Sequence, residues 1–213
     1  LGAGGGGVAR GAVGAHGRGG PGANRVGGAS PPTAAHVRRE WGEALRILEG
    51  GPCEVGIEST IIDGTRGAPV LLRPGAITRE QVQAACGMPL PANDALDAPA
   101  PRASGTLQSH YAPQAKVRLM DARALQTALD VLGRDIDSGQ AAIAVYARAI
   151  LRTPSTKVLY RRMPDDAGAT AQQLFAVLRE FDTKAIKLIW VETPPDTSEW
   201  EGVRDRLQRA AAA

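Results

Sequence analysis

With 213 residues, the chain has room for one large domain or two small ones, and its 43% hydrophobic content can build a core. Aromatics make up only 4%, so packing must rest on Ala, Val, Leu and Ile. A net charge of +3 with scattered arginines gives no dedicated nucleic-acid surface, and with no membrane-length apolar run or signal-peptide layout the expected setting is soluble and cytoplasmic.

Ten of the first twenty residues are glycine. Such a stretch cannot bury enough apolar surface to offset its backbone entropy, so residues 1–20 are expected to be disordered. Gly2-Ala3-Gly4-Gly5-Gly6-Gly7 is formally G-x-G-x-x-G, but no strand precedes it and no helix follows, so the dinucleotide reading fails on context. Order is expected from about Pro21. Thr33 is placed to cap a helix carrying Ala34, Ala35, Val37 and Trp41 at helical spacing, interrupted by Gly42. Leu45 to Leu48 is read as a strand entering the Gly50-Gly51-Pro52 turn. Thr60–Ile62 and Val70–Leu72 are short β-rich runs that read as an antiparallel pair. Thr78-Arg79-Glu80-Gln81 has the capping-box form, opening a helix to about Ala85 that Gly87 and Pro89 end. Cys53 and Cys86 form no C-x-x-C pair and have no histidines at ligand spacing, so reduced thiols are expected rather than a disulfide or a zinc site.

Residues 87–113 hold five of the fifteen prolines and read as a semi-rigid linker. Beyond it the elements alternate. Strands are predicted at Lys116–Met120, Ala142–Tyr146, Val158–Arg161 and Ile186–Val191, and helices at Ala124–Leu132, Ala171–Phe181 and Trp200–Ala211. That alternation predicts a small, Rossmann-like α/β layer with a largely parallel sheet. It carries no glycine fingerprint and no Walker motif.

Two segments carry the chemistry. Gly50-Gly51-Pro52-Cys53-Glu54-Val55-Gly56-Ile57-Glu58-Ser59-Thr60-Ile61-Ile62-Asp63 runs a glycine-punctuated loop into a strand with two hydroxyls at its mouth. Leu72-Arg73-Pro74-Gly75 ends a second strand on an arginine that the following proline holds in extended geometry. Hydroxyls and a placed guanidinium suit a small polar substrate and a phosphate. Without a wider pattern, Ser59 and Thr60 are equally readable as ordinary strand residues, and Arg73 as a surface cation in a solvated ion pair. Glu54 and Glu58 are carboxylates that could pair with Arg73 or meet Mg²⁺.

Together these segments resemble the second half of the YrdC-like domain of the threonylcarbamoyl-AMP synthase family, a partial α/β domain of twisted sheet and helices. The resemblance implies that Ser59 contacts L-threonine and that Arg73 contacts ATP. Pro21-Gly22-Ala23-Asn24 followed by Ser30-Pro31 is similar to the family's Pro-Ser-Ala-Asn loop, with Ser30 matching a second ATP contact and Gly22 standing where the first serine would be. Ser30 and Asn24 also read as turn residues ahead of a helix cap. Ser109-His110-Tyr111-Ala112-Pro113 is similar to the family's His-Tyr-Ala-Pro loop, which implies that Tyr111 reaches the nucleotide as the linker closes over the site. The plainer reading of Tyr111 is a linker anchor, and His110 as a base has no support. This linker followed by an α/β tail separates two-domain synthases from single-domain relatives. The absence of zinc-binding cysteines disfavours the related hydrogenase-maturation carbamoyltransferases.

The resemblance implies synthesis of L-threonylcarbamoyladenylate and pyrophosphate from L-threonine, bicarbonate and ATP with Mg²⁺, in the cytoplasm. The product would pass to the tRNA threonylcarbamoyl-transfer machinery, with room for a weak RNA contact. Four regions are expected: residues 1–20 as a Gly-rich tail, 21–86 as the C-terminal part of the catalytic domain, 87–113 as linker and lid, and 114–213 as a C-terminal α/β domain. The family's N-terminal Lys-x-Arg segment is not seen, so a truncated, inactive version is expected. The rival reading is a non-catalytic module that docks on protein or tRNA.

Overall fold

Thr33 opens the first helix, α1 (Ala34–Trp41), with its hydroxyl accepting from the His36 amide, and Gly42 closes it at φ 61°. The computed structural model describes residues 33–44, 46–47, 54–65, 67–91, 112–139, 142–153, 155–184 and 186–212. The Gly-rich tail, Leu45, Leu48, Cys53 and most of the Pro-rich linker lie outside the described residues, and Arg46 and Ile47 are not in a strand. Strands β1 (Ile61–Asp63) and β2 (Val70–Arg73) pair antiparallel, with a bulge between Ile61 and Ile62. The turn between them is braced by the Asp63 carboxylate, which accepts from the Thr65 amide and hydroxyl at 2.9 and 2.7 Å. Helix α2 (Arg79–Cys86) has both bonds of the capping box at Thr78 and Gln81 and ends on Gly87 in the left-handed region. The chain then turns back, burying Leu90 and giving the Pro91 carbonyl to the Leu71 amide at 3.0 Å.

The second half is a parallel sheet of β3 (Lys116–Met120), β4 (Ile143–Ala147), β5 (Leu159–Arg162) and β6 (Leu188–Glu192), in the order β3-β6-β4-β5. Three helices cover it: α3 (Ala122–Asp137), α4 (Ala167–Thr183) and α5 (Glu201–Ala211). The step from β3 to β4 runs one way across the sheet and the step from β5 to β6 runs back. Right-handed crossovers therefore put α3 and α4 on opposite faces. The strands show this by alternation: Ala144, Tyr146, Ile189 and Val191 face α4 and α5, while Ile143, Val145 and Trp190 face α3. Strand β4, covered on both faces, is an unbroken buried run.

Every predicted strand and helix of this half is present, and two helices are longer than predicted. Helix α3 begins one residue after Asp121, which caps it by accepting from the Ala124 amide at 2.7 Å, and it runs through Gly133 on its buried stripe. Helix α4 begins at Ala167 under the Asp166 cap, where Asp165-Asp166-Ala167-Gly168 reads by composition as a turn. At the sheet margin the Arg161 guanidinium pairs with Glu180 of α4, and that hydrogen bond is the main cause holding the Glu180 carboxyl below its ordinary range. A depressed carboxyl stabilises the fold above its unfolded value and loses that contribution as acid protonates it. The pair is partly exposed, so Glu180→Gln is expected to lower stability by under about 1 kcal/mol at pH 7. Urea unfolding should show that difference vanish below the carboxylate range.

Candidate functional site

Residues 54–60 reach the site by lying directly on the C-terminal helices. Gly56, at φ 79°, touches the backbone of α4: a Cβ there would sit 2.2 Å from the Gln172 Cα. Ile57 is buried in the same core as Leu174, Trp200, Val203 and Leu207. These two contacts fix where the chain enters the loop. Glu58, Ser59 and Thr60 then cross to β1, with Thr60 donating its hydroxyl to the Ile77 carbonyl at 2.8 Å.

Arg73 closes the loop from the other strand. It is 5% exposed, so it is not a solvated surface arginine. Its Nε and Nη2 donate to the Ser59 carbonyl at 3.2 and 2.8 Å, while the Ser59 residue itself is exposed. Two predicted site residues 14 positions apart are thus joined through a charge-assisted fork. Gly75 packs behind them so closely that a Cβ would lie 2.4 Å from the Thr60 nitrogen. Ser30 and Tyr111 lie outside the described residues, as do Gly22, Asn24 and His110.

The carboxylate of Glu58 is taken by Arg206 of α5 at 3.0 Å. Arg206 is 1% exposed and also donates to the Glu58 carbonyl at 3.0 Å, to the Pro74 carbonyl and to Asp205 at 3.1 Å. Arg79, at the head of α2, pairs with Glu201 at 2.6 Å and completes the seam. Sequence reasoning missed Arg206 and Gly202, and two signals pointed to them. Glycine inside a helix costs about 1 kcal/mol against alanine, which asks for a packing reason. Arg206 also shares the spacing of Gly202, Val203, Leu207 and Ala210, the buried stripe of α5.

A second polar cluster sits at the carboxyl ends of β4 and β6, where open α/β sheets commonly bind ligands. Here the protein fills the place itself: the buried Glu192 carboxylate accepts from the Arg148 and Ala149 amides and from the Arg148 guanidinium, each at 2.7 Å, with Arg148 5.6 Å over Trp200. Among the described residues no group of three His, Cys, Asp or Glu side chains is placed to hold a metal ion, and no helix is long and apolar enough to cross a membrane.

Comparison with known proteins divides the chain between residues 75 and 77. A family model described as "Threonylcarbamoyl-AMP synthase, C-terminal domain" matches residues 77–212, and one described as "Telomere recombination", which groups Sua5, YciO and YrdC proteins, matches residues 20–75. Threonylcarbamoyl-AMP synthase of Bacillus subtilis is 31% identical over 198 residues, covering 90% of this chain and 56% of the relative. The Schizosaccharomyces pombe protein of that name is 29% identical, over 90% of this chain and 51% of its own. The chain spans about half the length of these curated relatives. Among solved structures, Pyrococcus abyssi Sua5 complexed with L-threonine superposes with a TM-score of 0.73 at 26% identity, covering 90% of this chain and 56% of that one. A Pyrococcus abyssi Sua5 variant with a histidine and the adjacent tyrosine changed to alanine gives 0.74 at 25% identity over the same shares. With an α/β fold shared with Sua5 structures and a family match across more than half of its length, the chain belongs to the threonylcarbamoyl-AMP synthase family.

Proposed function

We propose that these residues form the threonine- and phosphate-facing part of an enzyme that makes L-threonylcarbamoyladenylate and pyrophosphate from L-threonine, bicarbonate and ATP. The activated threonine then serves the N6-threonylcarbamoyladenosine modification of tRNA in the cytoplasm. The observation that carries this reading is the Arg73 fork on the Ser59 carbonyl, which puts a cation and an exposed hydroxyl residue on one rigid support. A family member bound to L-threonine among the similar structures supports it.

In this reading residues 21–86 belong to the catalytic domain, 87–113 to a linker that acts as a lid, and 114–213 to the C-terminal domain. Ser59 orients threonine through a hydroxyl that both donates and accepts. The threonine amine and bicarbonate combine with loss of water to give a carbamate. A carbamate oxygen bonds to the α-phosphorus of ATP as the bond to pyrophosphate breaks. Arg73, with Ser30, holds the phosphates, so that positioning and charge neutralisation supply the rate. Tyr111 closes the site against water, which would hydrolyse the mixed anhydride. His110-Tyr111 is the one adjacent His-Tyr pair in the sequence, the kind of pair altered in the Pyrococcus variant. Glu58 is held by Arg206, and Mg²⁺ enters this reading as part of the Mg·ATP substrate.

The test is a hybrid in which residues 20–212 replace the segment they match in the Bacillus subtilis relative. The hybrid is expected to release pyrophosphate only with threonine and bicarbonate both present. Residues 1–213 alone, where no lysine precedes Lys116, are expected to be silent. A folded hybrid with no threonine dependence would overturn the reading in favour of a non-catalytic docking module.

A further inference from the structure

We propose that Arg206 and Gly202 of α5 are positioning residues for the Ser59 segment, so that the C-terminal helix sets the geometry at which threonine is held. The inference rests on the threonine-binding reading of Ser59 and extends it to a part of the chain that reading leaves without a role.

Three observations carry it. Arg206 is buried with its charge, and a buried guanidinium must have its donors met. Two of its acceptors are main-chain carbonyls, those of Glu58 and Pro74, the residues immediately before Ser59 and immediately after Arg73. Well-packed apolar residues often replace a buried ion pair without loss, so stability alone does not call for a cation here, whereas tying these two main-chain segments together does.

The second observation is a stack of backbones with no slack. Gly202 lies one helical turn before Arg206, on the same face. A Cβ on Gly202 would be 2.8 Å from both the Gly75 oxygen and the Ile57 Cδ1. A Cβ on Gly75 would in turn be 2.4 Å from the Thr60 nitrogen, 2.7 Å from the Ser59 carbonyl carbon and 2.8 Å from the Glu58 oxygen. Helix α5, the Pro74-Gly75 turn and the Ser59-Thr60 backbone are therefore in direct succession. Close-packed groups transmit displacement rather than absorb it.

The third is charge order. Glu58, Arg206, Asp205 and Arg209 alternate in sign, with contacts of 3.0, 3.1 and 2.8 Å along the row. Arg206 is thus itself held in place from the solvent side, as a positioning group must be.

The experiment uses the 213-residue chain, ¹⁵N-labelled, as wild type, Arg206→Lys and Gly202→Ala. It follows the Ser59, Thr60 and Gly75 amides, thermal melting and L-threonine titration. Lysine keeps the charge but cannot span the Glu58 and Pro74 carbonyls together. Arg206→Lys is expected to move those three amides while Leu125 and Leu129, on the far face, stay put. It should weaken threonine about 10- to 100-fold in the folded protein. Gly202→Ala, which favours the helix itself, should move the same amides and decides the matter if Arg206→Lys does not fold. A latch that only stabilises would lower the melting temperature and leave threonine affinity and those amides at wild-type values, which overturns the proposal. If wild type shows no response to threonine, the threonine reading of Ser59 falls. In that case the amides alone judge the positioning role: movement upholds it and no movement ends it.

Discussion

Arg73→Ala, made in the hybrid enzyme, is expected to remove roughly 2–4 kcal/mol of transition-state stabilisation and to impair both substrates. A guanidinium that contacted only phosphate would leave threonine untouched. Here the same group grips the Ser59 carbonyl, so its loss frees the loop proposed to hold threonine as well. Ser59→Ala should raise the KM for threonine with little change for ATP, since the hydroxyl is not part of the fork. Because Arg73 and Ser59 share one support, the double variant should fall short of the sum of the single effects. Steady-state kinetics with each substrate varied in turn checks this. Strict additivity, with an unchanged threonine KM in Arg73→Ala, would show that the fork has no bearing on the threonine site.

Gly56→Ala should destabilise the chain by about 2–4 kcal/mol, combining a left-handed backbone with a clash in a packed core. The clash is with main-chain atoms of α4, which cannot rotate away as a side-chain tip would. Gly75→Ala meets the Ser59-Thr60 backbone instead, so its effect should fall on threonine binding more than on melting. Thermal unfolding of the two variants beside threonine titrations separates them. A Gly56→Ala chain that melts with wild type would show that residues 54–57 do not rest on α4.

Much of this was open to inspection before any coordinates. The alternation of short β-branched runs with amphipathic stretches after residue 115 identified every strand and helix there, because each element buries one face with its own period. The caps at Thr33 and Thr78 were legible for the same reason: the capping bond is local. What escaped was non-local. Asp121 and Asp166 extend their helices beyond what composition suggests: Asp121 follows β3 directly and leaves no loop to announce the cap, while Asp166 caps α4 from the end of the short Met163–Asp165 connection. The pairing of Ser59 with Arg73 was approached only as two motifs side by side. That the link runs through a main-chain carbonyl follows from the β1–β2 register and its bulge, which no spacing rule supplies. Glu58 was considered as a partner for Arg73, yet its carboxylate is taken by a residue 148 positions away.

That separation has a consequence for how the protein is made. The Ser59 loop emerges well before the group that holds its backbone, which arrives with α5, and chains grow at about 5–20 residues per second. The loop and its exposed hydroxyl residue therefore wait roughly 7–30 s for the arginine that fixes them. Until α4 is made Gly56 has no backbone to rest on, and until α5 follows the Glu58 and Pro74 carbonyls have no Arg206, so the segment is fixed from the far end of the chain backward. A ribosome-bound intermediate stalled before residue 201 should hold β1 and β2 yet be unable to set Ser59, which makes the arrival of one short helix the step at which this segment takes its final geometry.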